Sequence, residues 1–146
     1  MARPLLVDSH AHMDMAEFDQ DRDQVVARAR ESGVATIVTV GCDLDSSRTA
    51  VHLAERYPEV LAAVGFHPHE AVRMREEDIK VLAEFLRHPR VVAIGEIGLD
   101  FYRSYSPREA QLRALRWQLE LATEADLPVV IHCRGAEREM LATLSE

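Results

Sequence analysis

The sequence lacks any apolar run that approaches the ~20 residues of a membrane-spanning helix. Its apolar start is interrupted by Asp8, directly after Val7, so we predict neither a membrane protein nor a secretory signal. Cysteine is also scarce. Cys42 and Cys133 each adjoin a strand-like run, which is typical of reduced thiols. These features together predict an intracellular protein.

Basic residues are outnumbered, and lysine is almost missing, with Lys80 its only instance. The net charge of −8 argues against a broad basic surface that binds nucleic acid without specificity. It does not exclude a phosphate-containing substrate, because bound metal cations add positive charge that the residue count omits. The length of 146 residues and the hydrophobic content of 47% predict one globular domain.

Short apolar runs alternate with segments of helical periodicity along the whole chain. The runs are nearly all apolar, which is typical of parallel strands covered on both faces. Such an alternation predicts right-handed βαβ units. The predicted strands are 5–7, 35–40, 60–64, 91–94 and 128–131, and the predicted helices are 21–30, 45–57, 76–86, 106–125 and 137–144, the second starting at Asp45 or Ser46.

Five βα units fit either an open doubly wound sheet or part of an eight-stranded (β/α)8 TIM-type barrel. No Gly-x-Gly-x-x-Gly follows the first strand, so a dinucleotide site is not predicted.

The residues that carry chemistry follow the predicted strands, at their carboxyl ends. In a βα barrel those ends face one mouth, where catalytic loops gather. His52 and His88 fall elsewhere and are interpreted as surface residues. The clustered residues are His10 and His12 after the first strand, His67 and His69 after the third, Glu96 after the fourth and His132 after the fifth.

Divalent metals are bound by sets of histidines and carboxylates. Such a set is present here: two histidines from one strand, a carboxylate from another and a histidine from a third. Glu96 lies between apolar residues and two glycines, where burial of its charge is costly without a cation. Its two oxygens could serve two ions, and two ions could clamp a phosphodiester. Arg103 and Arg134 follow the ligand strands, placed either for phosphate oxygens or for salt bridges on the rim.

Four stretches resemble the TatD family of metal-dependent deoxyribonucleases, within the amidohydrolase superfamily. They are Asp8–His12, Gly65–His69, Ala93–Tyr102 and Pro128–Arg134, in the family's order. The resemblance implies a (β/α)8 barrel with two divalent ions, for example magnesium, manganese or zinc. It implies that His10 and His12 hold one ion, that Glu96 bridges, that His132 holds the second ion, and that His67 lies at the scissile phosphate. The implied activity is hydrolysis of DNA from its ends, in a cytoplasmic repair or degradation role.

The chain departs from the family in length. The family's eight units are represented here by five, and its histidine after strand six and aspartate after strand eight have no counterpart. We therefore expect residues 1–146 to form a single metal-dependent hydrolase domain truncated on its C-terminal side. Its open barrel face predicts self-association.

Two other functions remain open from the sequence. Amidohydrolase-type barrels also cleave other esters and amides, and these would use the same ligands. A five-unit chain could also bind metal without turnover.

Overall fold

The computed structural model describes residues 5–146, in which five parallel strands alternate with five α-helices. Two single-turn 3-10 helices, Ala16–Phe18 and Pro68–Glu70, lie in the loops after the first and third strands. The strands are β1 (Leu6–Ala11), β2 (Val34–Val40), β3 (Val60–Val64), β4 (Val91–Asp100) and β5 (Val129–Arg134). The helices are α1 (Arg22–Glu31), α2 (Leu44–Arg56), α3 (Glu76–Phe85), α4 (Arg108–Ala125) and α5 (Glu137–Leu144).

The sheet order decides between the two predicted architectures. The strands pair in the order β1-β2-β3-β4-β5, and every pair is parallel. A doubly wound sheet reverses its strand order at a switch point, whereas a barrel keeps sequential order. The prediction of an incomplete (β/α)8 barrel with five units is confirmed. As expected, β1 and β5 each pair on one side only within residues 5–146.

The core has two layers of unequal size. The larger layer packs helices against the outer face of the sheet. For example, Ala50 of α2 and Leu115 of α4 lie in one buried cluster with Ala62 of β3. The smaller layer contains strand residues alone and lies on the other face of the sheet. Its members are Val38, Val40, Ala63, Ala93 and Val130. Within residues 5–146, the core helices therefore cover one face, and the inner face carries side chains of the strands alone.

Helix α2 begins with a capping box rather than at the predicted Asp45 or Ser46. The Asp43 carboxylate accepts from the Ser46 backbone N–H at 2.8 Å, and the Ser46 hydroxyl accepts from the Asp43 N–H at 2.9 Å. Two N–H groups that lack helical partners are satisfied in this way. This cap fixes the turn that leaves β2, close to the carboxyl end of the sheet.

Strand β4 is longer than predicted, and the reason is a close approach to β5. The predicted strand ended at Ile94, before the segment 95–100 with its two glycines, but the observed strand continues to Asp100. Gly98 has φ +147°, and a Cβ there would lie 1.9 Å from the His132 carbonyl oxygen. Glycine at this position therefore lets the two backbones meet, and it brings the side chains of both strands into one site.

Two predictions from composition concern membrane and redox properties. No helix within residues 5–146 has the length and apolar content needed to cross a membrane. Residues 1–4, on which the prediction of no secretory signal also depends, lie outside the described part of the chain. Cys42 and Cys133 are both free cysteines, as predicted.

Candidate metal centre

The predicted ligands meet at the carboxyl end of the sheet. His10 lies in β1 with His12 just after it, Glu96 in β4 and His132 in β5. His67 follows β3 and leads into the 3-10 turn that carries His69. Parallel strands in sequential order present their carboxyl ends on the same side, so residues far apart in sequence become neighbours.

Glu96 is the centre of this group. Its Oε2 lies 3.2 Å from His10 Nε2 and 3.6 Å from His12 Nε2, while its Oε1 lies 3.0 Å from His132 Nδ1. The residue is only 7% exposed. Each carboxylate oxygen therefore faces a different group of imidazoles, which is the arrangement expected of a bridging ligand.

The tautomer of His12 follows from its contact with β2. Its Nδ1 lies 2.8 Å from the Val40 carbonyl oxygen, which only accepts, so Nδ1 carries the proton and donates. In the neutral ring, Nε2 then has a free lone pair, and this atom faces Glu96. A backbone acceptor on the far nitrogen is a common outer partner of metal-binding histidines.

Asp100 has the same effect on His132. Its Oδ2 lies 3.2 Å from His132 Nε2 and 2.7 Å from His69 Nε2, so both rings donate to the carboxylate. The lone pair of His132 is thereby left on Nδ1, directed at Glu96 Oε1. Asp100 is fully buried, and its Oδ1 also accepts from the N–H groups of Tyr102 and Arg103. The orientation of His132 is therefore fixed from behind.

The donor set fits metal cations, because acceptor atoms face one another. The lone pairs of His12 Nε2 and His132 Nδ1 point at the two oxygens of Glu96, and such contacts repel unless a positive charge lies between them. In the neutral-ring tautomers deduced above, neither nitrogen has a proton for the carboxylate. The atoms of His10, His12 and Glu96 that could bind a metal lie within 4.8 Å of one another.

The pKa values show the same preference for positive charge. Hydrogen bonds with Cys42 and Glu96 outweigh burial and raise the pKa of His12 to about 10. Burial alone would raise the pKa of Glu96, but the hydrogen bond from His12, with a contribution from the nearby His10, lowers it to about 2. Without a metal, a proton on His12 therefore supplies the charge that the carboxylate demands.

His67 differs from the other histidines in its hydrogen bonding. Its Nδ1 accepts from the His69 backbone N–H at 3.1 Å, so the neutral ring carries its proton on Nε2. Burial lowers the pKa of His67 to about 4 and keeps the ring neutral. Its Nε2–H points toward His132 Nδ1 at 3.1 Å. His67 therefore presents a donor to the site rather than a lone pair.

A second possible ligand group consists of His67, His69 and His132, whose ring nitrogens also lie within 4.8 Å of one another. In this group His67 directs its Nε2–H toward His132, and His69 directs its Nε2–H toward Asp100. His132 is then the member that offers a lone pair toward Glu96. The two possible ligand groups therefore meet where His132 Nδ1 faces Glu96 Oε1.

The two arginines predicted to bind phosphate lie at the rim and not among the imidazoles. The guanidinium carbon of Arg134 lies 4.6 Å from the Tyr102 ring centroid, and that of Arg103 lies 5.9 Å from it. Both side chains belong to exposed residues. Within residues 5–146 neither arginine makes an ion pair with a carboxylate, so the alternative of rim salt bridges is not observed.

Comparison with known proteins assigns the fold to a family. The model of the family described as "TatD related DNase" matches residues 7–146. The chain belongs to this family.

TatD-family relatives share sequence and structure with most of the chain. The 3'-5' ssDNA/RNA exonuclease TatD of Edwardsiella piscicida is 41% identical over 140 residues, covering 95% of this chain and 54% of the relative. An uncharacterized metal-dependent hydrolase, YabD of Bacillus subtilis, is 39% identical over 142 residues, covering 97% of this chain and 56% of the relative. The crystal structure of the TatD homolog YjjV from Escherichia coli has a TM-score of 0.89 at 33% identity, covering 95% of this chain and 54% of that one. The chain spans about half the length of these relatives.

Three supporting residues of this TatD-family site were not assigned from the sequence. Asp100 lies four residues after Glu96, and even spacing on a strand places both side chains on one face, which is a usable signal. The buried Gln111 of α4 binds the Asp100 backbone at both N–H and carbonyl. Gln118, seven residues later, does the same for Phe66, next to His67. Two glutamines at seven-residue spacing on a buried helix face therefore hold the backbone at Asp100 and beside His67.

Proposed function

We propose that this TatD-family chain carries the site of a divalent-metal-dependent phosphodiesterase that hydrolyses DNA from its ends. One observation carries the proposal: in their neutral tautomers, unprotonated imidazole nitrogens from two sides face the two oxygens of the buried Glu96. Histidine and carboxylate donors in this number suit divalent transition metals and, for the oxygens, magnesium or manganese. The relatives' names support a hydrolase and an exonuclease.

In this proposal the centre holds two ions. His10, His12 and Glu96 hold one, and Glu96 with His132 holds the other. When bound, the ions would stabilise charge on the phosphoryl oxygens and lower the pKa of a water molecule. Several divalent metals share these ligand types, so titration of the protein with each metal is the measurement that identifies the ions.

The remaining residues act on the substrate. The neutral N–H of His67 lies 3.1 Å from His132 Nδ1; an ion bound to that nitrogen would free the N–H, and we assign it to a non-bridging oxygen of the scissile phosphate. Arg103 and Arg134, without carboxylate partners within residues 5–146, are available for neighbouring phosphates. These guanidiniums favour a phosphodiester over the amide and other ester substrates of amidohydrolase-type barrels.

Domain and location complete the proposal. We assign residues 1–146 to one hydrolase domain, since a single large core layer spans all five βα units. The free thiols of Cys42 and Cys133 support a cytoplasmic location, where thiols stay reduced.

A nuclease assay on the natural protein that contains this chain tests the proposal. Chelator-treated protein should leave an end-labelled DNA oligonucleotide intact, and added magnesium, manganese or zinc should restore shortening from one end. Calorimetric titration of the unsubstituted, metal-free protein should find two bound ions per chain. The matched control is His52→Ala, because this exposed helical histidine lies outside the centre and its loss should change nothing. Hydrolysis that continues in chelator, or failure of every divalent ion to restore it, would refute the proposal.

A further inference from the structure

The segment between β4 and α4 exposes two tyrosines in a chain that has few aromatic residues. Aromatic residues make up 5% of the sequence, and two of its three tyrosines are Tyr102 and Tyr105. Tyr102 is 70% exposed and Tyr105 is 65% exposed. An exposed aromatic ring offers a large apolar face on which a ligand can pack, which matters where the ring lies beside a functional site.

The backbone of Tyr102 is tied to the candidate metal centre through Asp100. Its N–H donates to Asp100 Oδ1 at 3.1 Å, and the other oxygen of that carboxylate binds His132. The paired ends of β4 and β5 bring Arg134 beside the ring, with its guanidinium carbon 4.6 Å from the ring centroid. One aromatic ring, with guanidiniums close by, therefore adjoins the centre.

Tyr105 adjoins the same centre from the side of His69. The two rings meet edge to face, with centroids 4.6 Å apart. The next residue, Ser106, is buried and donates to the His69 carbonyl at 2.7 Å, while its oxygen accepts from the Val72 N–H. The segment is thus anchored beneath an exposed ring. A ring held in place in this way loses little entropy when a ligand stacks on it.

We propose that Tyr102 and Tyr105 stack nucleobases of a single-stranded nucleic acid beside the metal centre. The inference rests on the proposed function, because it assigns the residues that would hold the bases of a substrate at that site. Arg103 and Arg134 would bind the phosphates between the stacked bases. Aromatic platforms with basic neighbours recognise single strands in this manner, since each base offers a π-face whatever its sequence. A duplex, whose bases are already stacked on one another, offers no such face.

Stacking predicts a contribution from bases that phosphate contacts alone do not. If the arginines acted alone, an abasic deoxyribose-phosphate strand would bind as tightly as a strand with bases. If the tyrosines stack bases, the abasic strand should bind on the order of tenfold more weakly or worse. This difference needs no variant, so it stays informative even if a substitution impairs folding.

The experiment is fluorescence anisotropy on the natural protein in chelator, where no metal-dependent hydrolysis takes place. The probes are a labelled oligothymidylate, the abasic strand of equal length and a duplex of equal length. Tyr102→Leu and Tyr105→Leu should each weaken oligothymidylate binding about tenfold and leave abasic binding unchanged. Tyr102→Phe and Tyr105→Phe keep the rings and should bind like the original protein. Arg134→Gln should weaken binding of both single strands.

The outcomes separate this inference from the proposed function. Equal binding of the abasic strand and oligothymidylate, tighter binding of the duplex, or leucine variants with unchanged affinity would each overturn base stacking. Lack of binding by any probe would overturn it as well. None of these results depends on turnover. Loss of hydrolysis with intact stacking would instead refute the nuclease assignment alone.

Discussion

The two sides of the candidate centre differ in how firmly the fold holds their ligands. On the β5 side, the buried Asp100 accepts hydrogen bonds from two backbone N–H groups and from the rings of His69 and His132. On the β1 side, the strand is exposed along most of its length, and the side chain of His10 is 37% exposed. Only His12 has a backbone anchor there, at Val40. Strand pairing alone therefore brings the candidate ligands together, while buried outer partners orient them.

The largest expected effect comes from breaking the one residue that both sides share. Glu96→Gln keeps the shape but removes the negative charge, so both groups lose their common partner. We expect metal affinity and turnover to fall by more than the roughly 10–100-fold typical of an outer partner. We also expect a larger loss than for His132→Ala, which removes a ligand from one side. Calorimetry and single-turnover hydrolysis measure both variants.

The bridging role has a clear contrary result. If Glu96→Gln and His132→Ala cost the same, or if either variant keeps full turnover, Glu96 does not serve two ions. His52→Ala again supplies the baseline, because it removes an exposed imidazole outside the centre.

The next effect concerns the firmly held side. Asp100→Asn keeps one acceptor oxygen but loses the charge that orients His132 and His69. Affinity at the β5 side should fall about 10–100-fold, with the β1 side changed much less. Removing a charged acceptor of several buried hydrogen bonds should also lower the free energy of unfolding by roughly 1–3 kcal/mol. Urea denaturation measures the loss of stability, and metal titration measures the loss of affinity. Equal losses of metal affinity at the β1 and β5 sides would contradict the difference between them.

Asp100 also shows where sequence reasoning stops. Because the carboxyl ends of parallel strands face one mouth of a barrel, the sequence predicted four residues as neighbours from strand order and direction alone: His10, His12, Glu96 and His132. It missed the role of Asp100, which lies beyond Ile94, where the predicted β4 ended. The observed strand continues because Gly98 leaves room for the His132 carbonyl, 34 positions later in the chain. A contact over such a distance leaves no local periodicity to detect.

The orientation of the ligands was equally beyond the sequence. The tautomer of His12 depends on the Val40 carbonyl in β2, and that of His67 on the N–H of its own 3-10 turn. Both follow from backbone positions that residue types do not encode. The five-unit parallel architecture, in contrast, was predictable from apolar runs and helical spacing, because burial on both faces selects residue type directly.

A smaller effect should separate the two histidines of the β1 side. His12→Ala removes a ligand already oriented by Val40, whereas His10→Ala removes a more exposed one without such an anchor. We expect His12→Ala to weaken metal binding about 2–10-fold more than His10→Ala, the equivalent of one net hydrogen bond of about 0.5–1.5 kcal/mol. Calorimetry on the two variants measures the difference. A greater loss for His10→Ala would show that the anchor does not orient the ligand.

The smallest expected change in stability concerns the β1 edge itself. Leu6 and Val7 are exposed, and within residues 5–146 the side of β1 away from β2 pairs with no strand. We therefore expect the isolated 146-residue chain to self-associate, because an open apolar edge is a template for pairing. Val7→Lys should shift the sedimentation coefficient toward the monomer while changing the free energy of unfolding by no more than about 0.5 kcal/mol. Leu141→Lys is the matched control, since it adds the same charge at an exposed apolar position on α5, away from the edge. If both substitutions reduce association equally, net charge rather than the strand edge controls it; a monomeric unsubstituted chain would refute the edge argument altogether.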